Sequence, residues 1–252
     1  MDKIKLEYLC TEDSITVFWE KMESSEKGDV YELSINNGDA VKICKTDYTF
    51  EGLEADKEYS VEVKTVRAGA VIDTEAISIK TLLTKKRIDV TKAPYNAVAD
   101  GTTINTIALQ KALDDCQKGE CVFFPKGEFL TGGLRLHSDM EIYLEEGAVL
   151  LGSENPEDYL PKIHSRFEGK EMECYQSLLN MGELDHNDGY NCKNVIIRGK
   201  GKISGGGKTL AKAIINTERE RLKKEIEALG DKIKEYENND TIPGRARGRL
   251  IN

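Results

Sequence analysis

The stretch from Ala97 to Gly152 constrains the fold of this chain more than any other part of the sequence. It carries an Asp-Gly-Thr-Thr turn, an amphipathic helix and a series of short apolar strands, with few residues to spare between them. A helix in this place would close the open end of a stack of short strands, which otherwise exposes unpaired apolar side chains. Residues 100–105 should supply its turn and cap. The predicted apolar face of the helix comprises Ile107, Ala108, Leu109, Ala112, Leu113 and Cys116.

Two later segments repeat one design. Residues 141–150 and 194–203 each contain a strand of about four residues, a corner with glycine and a second short strand. This repetition predicts a solenoid in which the inward residues of one coil stack on those of the next. Residues 88–98 should form its first strand. Residues 153–191 are longer and more polar than one coil requires, so they are predicted to form an excursion on the surface.

Residues 88–207, together with 245–252, resemble the N-terminal portion of the polygalacturonase family (glycoside hydrolase family 28). The resemblance implies the capped start of a right-handed parallel β-helix over residues 86–252, with a helical insertion at 208–238. It also implies inverting hydrolysis of α-1,4-linked galacturonic acid in pectin or oligogalacturonides, with no metal or organic cofactor. The implied partner of the complete enzyme is therefore an acidic polysaccharide or oligosaccharide.

Residues 1–85 alternate apolar and polar positions in short runs between turn residues, which predicts a small antiparallel β-sandwich. Tyr59 opens the strand Tyr-Ser-Val-Glu-Val, six positions after Leu53, and this spacing resembles the tyrosine corner of a fibronectin type III domain. Trp19 matches the buried indole of an early strand. Ala55 stands where that family has proline. A sandwich before the solenoid is typical of exo-acting polygalacturonases, so the resemblance favours action at chain ends.

Residues 208–236 break the strand pattern. Five apolar residues recur among Glu, Lys and Arg at spacings of four, three, four and three, which predicts one long amphipathic helix. Two heptads are short for a stable coiled coil, which favours packing of this stripe against the outside of the solenoid. Pairing with a second chain is the alternative. The five residues are Leu222, Ile226, Leu229, Ile233 and Tyr236.

The polygalacturonase family supplies its catalytic groups from Asn-Thr-Asp, Asp-Asp, Gly-His-Gly and Arg-Ile-Lys motifs on successive coils. None of these stands in the right place here, so no catalytic residue is assigned and the substrate-binding residues are unknown. Asn216-Thr217-Glu218 is one methylene from the first motif, but it is interpreted as the start of the helix. Asp114-Asp115 should lie on the exposed face of the capping helix. Arg87-Ile88-Asp89 ends in an acid where the family has lysine. The three histidines, none of them flanked by glycines, are His137, His164 and His186.

The sequence contains no pattern that predicts a metal or nucleotide site. Residues 185–188 alternate acids with His and Asn, but they lack the closing glutamate of a calcium loop, so a polar turn is predicted. Residues 199–207 are rich in glycine without the spacing of a phosphate loop, which favours tight corners. The six cysteines show neither a Cys-x-x-Cys pair nor a Cys/His cluster and are interpreted as buried thiols: Cys10, Cys44, Cys116, Cys121, Cys174 and Cys192.

The charge balance argues against nucleic acids and membranes as partners. The chain has 36 Lys and Arg against 45 Asp and Glu, a net charge of -9. A surface for nucleic acid or anionic lipid needs clustered cations, so anion binding would have to be local. The first residues lack the apolar core of a signal peptide, which predicts a cytoplasmic location.

Three hypotheses follow. The first is the N-terminal part of a galacturonan hydrolase that is inactive by itself, because the catalytic motifs are missing. The second is a non-catalytic module that binds carbohydrate or protein. The third is a structural protein that self-associates through Leu222, Ile226, Leu229 and Ile233.

Overall fold

The computed structural model describes residues 3–167, 170–184 and 189–229. The chain divides into two compact units, Met1–Lys85 and Lys86–Asn252, which are described separately. The first is a β-sandwich and the second contains a short parallel β-helix.

Seven antiparallel strands form two sheets in the first unit. One sheet has the order β1-β2-β5 and the other has the order β4-β3-β6-β7. The strands are β1 (Glu7–Cys10), β2 (Ser14–Phe18), β3 (Val30–Ile35), β4 (Val41–Ile43), β5 (Asp47–Glu51), β6 (Glu58–Arg67) and β7 (Ala70–Lys80).

The core of the sandwich consists of the alternate residues that the period-two pattern predicts. Trp19 is buried and meets Tyr31 edge to face, with ring centroids 4.9 Å apart. The backbone N–H of Glu54 donates to the hydroxyl of Tyr59 at 2.8 Å, so the predicted tyrosine corner is present. Two packed antiparallel sheets with this corner confirm the fibronectin type III-like sandwich.

Parallel strands stack in the second unit. Three sheets have the orders β8-β10-β13-β18, β9-β11-β14-β19 and β12-β17. The strands are β8 (Lys86–Asp89), β9 (Asp100–Ile104), β10 (Glu120–Phe124), β11 (Gly127–Thr131), β12 (Leu134–Leu136), β13 (Glu141–Leu144), β14 (Ala148–Gly152), β17 (Leu179–Met181), β18 (Ile196–Gly199) and β19 (Lys202–Ser204).

The two repeated segments lie one above the other, as the sequence predicts. Ile142 pairs with Ile197 between β13 and β18, and Leu150 pairs with Ile203 between β14 and β19. Aliphatic residues of successive coils stack at these two positions, and the parallel pairing of the coils confirms the start of a parallel β-helix.

Helix α1 (Thr106–Asp115) packs its apolar face on the core of this unit. Leu109, Ala112 and Leu113 are fully buried, as predicted, but Ile107 is 88% exposed because it lies in the first turn on the solvent side. Asn105 occupies the N-cap position without capping the helix through its side chain. Its amide instead bonds both backbone groups of Val98, at 2.7 and 2.9 Å.

The first coil differs from prediction in one respect. Residues 88–98 do not form one strand, because β8 ends at Asp89 and β9 begins at Asp100. The carboxylate of Asp100 accepts the backbone N–H groups of Thr102 and Thr103, at 2.8 and 2.7 Å. These bonds hold the chain at Gly101, whose φ is +71°.

Residues 153–191 form a surface excursion only in part. They contain a 3-10 turn (Pro156–Tyr159) and an antiparallel hairpin of β15 (Ile163–Phe167) and β16 (Lys170–Cys174). The chain then re-enters the solenoid, because Leu179–Met181 forms β17 in parallel with β12 and Leu179 is fully buried.

The predicted long helix is divided into two. Helix α2 (Gly207–Arg221) ends before Leu222, and helix α3 (Lys223–Leu229) follows. Leu222 itself is buried. Ile233 and Tyr236 lie outside the described residues, as do the side chains of Ile226 and Leu229, so self-association through this stripe stays a prediction.

Candidate functional site

A buried carboxylate in helix α2 organises a polar cluster of the second unit. Leu210, Ile214, Glu218 and Leu222 follow one another at intervals of four, so they lie along one side of the helix. All four are buried, and Glu218 is only 3% exposed. Glu218 therefore lies on the buried side of the helix, at a position where the spacing of four would place an apolar residue.

Three donors from three segments converge on Glu218. The Nζ atom of Lys162 donates to Oε1 at 2.7 Å, and the hydroxyl of Tyr175 donates to the same oxygen at 3.0 Å. The Nε atom of Arg221 donates to Oε2 at 2.8 Å. Lys162 also lies 4.8 Å above the ring centroid of Tyr175. We call these four side chains the Glu218 cluster.

The titration of the cluster follows from its contacts. Burial opposes ionisation of Glu218, but the hydrogen bonds from Lys162, Arg221 and Tyr175 outweigh it, so the pKa of this carboxyl lies below its ordinary value. Burial, with the bond to the carboxylate, raises the pKa of Tyr175 to about 12. Glu218 is therefore ionised and fully hydrogen-bonded near neutral pH. Both of its oxygens accept hydrogen bonds, so the carboxylate links helix α2 to the residues on either side of the hairpin.

The interpretation of Asn216-Thr217-Glu218 as a helix start is wrong. Helix α2 begins at Gly207, nine residues before Asn216. Sequence reasoning missed the role of Glu218, although the spacing of four from Leu210 and Ile214 was a usable signal.

Small residues at one corner of the solenoid, Thr131, Gly132 and Gly152, leave space for the 3-10 turn. Thr131 pairs with Gly152, and an added Cβ at Gly132 would overlap the carbonyl oxygen of Asp158. The hydroxyl of Tyr159 donates to the carbonyl of Ser153 at 2.8 Å and would lie 2.9 Å from a Cβ at Gly152. The 3-10 turn thus lies where side chains would otherwise project.

The other near-miss motifs lie on separate elements. Asp115 is exposed on α1 and pairs with Lys111 at 2.8 Å, while Asp114 accepts from Gln110 at 2.7 Å. Arg87 lies on β8, 4.8 Å above the ring centroid of Phe123. The structure does not assemble these groups into a pair of carboxylates across a cleft, within the residues that it describes.

The two histidines that the structure describes, His137 and His164, contact backbone carbonyls or a neighbouring glutamate. His137 places Nε2 at 2.9 Å from the carbonyl of Leu113 and Nδ1 at 2.8 Å from that of Ser138, so it joins α1 to the end of β12. His164 lies 3.3 Å from Glu173 across the hairpin. His186 and the predicted polar turn at 185–188 lie outside the described residues.

A surface depression of about 600 Å³ lies beside α1. Ile104 and Ile107 line it, together with Tyr95 and Lys111, and Asp158 is the only acid among its lining residues. Inverting hydrolysis needs two carboxyl groups, so this depression does not provide the chemistry.

No cluster of three His, Cys, Asp or Glu side chains that could hold a metal ion occurs in the described part of the chain. Nor do the described helices include one that is long and apolar enough to cross a membrane.

Comparison with known proteins finds relatives of this chain. No family model matches the chain. It is 39% identical over 159 residues to an exo-poly-α-D-galacturonosidase of Dickeya chrysanthemi, which covers 62% of this chain and 26% of the relative. It is also 32% identical over 123 residues to a probable polygalacturonase of Vitis vinifera, covering 45% of this chain and 23% of that protein. The chain is a homologue of the polygalacturonases.

A solved structure extends the likeness beyond the aligned sequence. The family 28 exopolygalacturonase of Yersinia enterocolitica superposes with a TM-score of 0.68 at 29% identity, over 81% of this chain and 41% of that one. The chain therefore spans about a quarter of the first curated relative and two fifths of this structure.

Proposed function

We propose that this chain is the N-terminal portion of a glycoside hydrolase that acts on α-1,4-linked galacturonic acid by inverting hydrolysis, and that it is inactive alone. In this proposal its part is structural. Helix α1 closes the solenoid, and the first coils form the base on which coils with the catalytic acids stack.

The observation that supports this proposal is the combination of homology and missing motifs. The 39% identity to an exo-poly-α-D-galacturonosidase extends over 159 residues, whereas the sequence carries no Gly-His-Gly and no Arg-Ile-Lys. Asp114-Asp115 precedes the second coil, on α1, and Glu218 is committed to three donors. A general acid and a general base on opposite sides of a glycosidic bond are therefore expected from another part of the protein.

A chimera tests the proposal. The segment of the Dickeya enzyme that aligns with this chain is replaced by the chain itself, and the release of galacturonate from polygalacturonate is measured for the chimera and for the 252-residue chain. We expect release by the chimera and none by the chain.

The control is a chimera with its first catalytic aspartate replaced by asparagine, which should be inactive but folded. Release of galacturonate by the 252-residue chain alone would contradict the proposal. A folded chimera that binds oligogalacturonate without releasing galacturonate would favour the alternative, a non-catalytic binding module.

A further inference from the structure

One side of helix α2 carries a line of cations. Lys208, Lys212 and Arg219 are all exposed and are separated by four and seven residues. At about 100° and 1.5 Å per residue, they fall within about 40° of the helix circumference and span roughly 16 Å along its axis. This side is turned away from the buried side of Leu210 and Ile214. We call these three residues the basic strip.

The basic strip is not neutralised by neighbouring acids. The described residues include no ion-pair partner for Lys208, Lys212 or Arg219. The two acids of α2 are engaged elsewhere, since Glu218 is buried with Lys162 and Arg221, and Glu220 lies 3.6 Å from Lys223. Within the described residues, the charges of the strip are therefore unpaired and exposed.

The position of Lys208 has a local electrostatic cost. It is the second residue of α2, whose first turn contains no acid. The helix dipole disfavours a cation at this end. The positive charge of Lys208 therefore does not stabilise the helix.

The net charge of -9 gives the chain no general attraction for polyanions, so an anionic polymer would have to bind at a local group of cations such as the strip. Asn216 is exposed on the adjoining part of the helix, and its amide can both donate to and accept from hydroxyl groups. Repeating carboxylates with hydroxyl groups between them are the chemistry of a uronic acid polymer.

We propose that the basic strip binds polygalacturonate through its carboxylates. This inference rests on the proposed function for the choice of polymer, but its test does not depend on hydrolysis. Polygalacturonate is immobilised, and binding of three forms of the 252-residue chain is measured at several salt concentrations. The forms are the wild type, the triple variant K208Q/K212Q/R219Q and the control K92Q/K118Q/K193Q.

The control variant loses the same three charges at exposed positions elsewhere in the second unit. We expect the strip variant to bind roughly tenfold more weakly than wild type, as three exposed ion pairs would give, and the control to stay within about twofold. The decrease of affinity with salt should also become less steep for the strip variant, because fewer counterions are exchanged. Methyl-esterified pectin, which lacks the charges, should not compete.

Equal affinities of the two triple variants would overturn the inference. Equal affinity of the wild type for DNA and for polygalacturonate would also overturn it, because the strip would then recognise negative charge alone. A wild type that does not bind polygalacturonate at low salt would overturn it as well. None of these results decides the proposed function, which is judged by hydrolysis in the chimera.

Discussion

Glu218 shows how one residue joins parts of the chain that are distant in sequence. Lys162 precedes the β15–β16 hairpin, Tyr175 follows it, and Arg221 is one helical turn after Glu218 itself. Lys162 and Arg221 reach solvent with their remaining surface, while the carboxylate does not. The cost of burying the charge is offset only while the three donors are in place.

The change Glu218→Gln should loosen both helix α2 and the hairpin beside it. We expect a loss of about 2 kcal/mol, below the usual cost of breaking a buried pair because Lys162 and Arg221 can be solvated. Hydrogen exchange at the amides of α2 and of Lys170–Cys174 would measure it. The control Glu220→Gln, at an exposed position, should change exchange by less than about 0.5 kcal/mol.

The effect should depend on pH in a defined direction. The folded pKa of Glu218 is lowered, so its contribution is complete above the unfolded value of about 4.3 and is lost as pH falls through the lower folded value. Wild-type protection of α2 should decrease on acidification more steeply than that of Glu218→Gln. Parallel pH profiles would show that Glu218 is not the group responsible.

At the scale of the elements, the 3-10 turn packs against the corner of the solenoid formed by Gly132 and Gly133. The backbone N–H of Gly133 donates to the carbonyl of Asp158 at 3.2 Å, and the preceding Gly132 leaves no room for a methyl group beneath that carbonyl. Gly132→Ala should displace the turn at a cost of about 1–3 kcal/mol. Faster hydrogen exchange at Gly133 and Tyr159 would report the displacement.

Gly119→Ala is the matched control, since an added Cβ there meets no atom within 4 Å although φ is +90°. Its cost should arise from backbone strain and stay near β10. Unchanged exchange at Gly133 in Gly132→Ala would mean that the turn is not held at this corner.

The sequence predicts a strand or helix well where an apolar pattern repeats along the chain. It predicts poorly where a contact with a distant segment determines the structure. The stacking of Ile142 on Ile197 follows from two segments that each contain a short apolar strand, a corner with glycine and a second strand. The return of Leu179–Met181 to β12 does not, because a three-residue strand has too short a pattern and its partner is over forty residues away. The burial of Glu218 does not follow from the sequence either, because a charged side chain is seldom buried without partners, and Lys162 and Tyr175 come from other segments.

On the scale of the whole molecule, the sandwich and the solenoid have separate cores. The apolar cluster of the first unit includes Trp19, Tyr31 and Val61, whereas that of the second includes Leu113, Phe124 and Leu150. Because Trp19 is the single tryptophan, its fluorescence reports on the sandwich alone.

Residues 1–85 expressed alone should therefore fold. We expect the midpoint of urea unfolding, followed by Trp19 fluorescence, to match that of the 252-residue chain within about 0.5 M, because the buried contacts of Trp19 lie within this unit. Limited proteolysis of the full chain should yield the same resistant core. A fragment 1–85 without a cooperative transition would contradict this independence.

The corner where Gly132, Gly152 and Gly206 lie has a consequence for how such a molecule tolerates change. Gly152 ends β14 and pairs with Thr131, and the backbones of Asp158 and Gly206 lie where Cβ atoms on Gly132 and Gly152 would project. Because backbone fills this corner, we expect a loop that departs there to change in length without a shift in the register of the strands. Such changes would be confined to one edge of the solenoid, and the spacing between coils would be preserved.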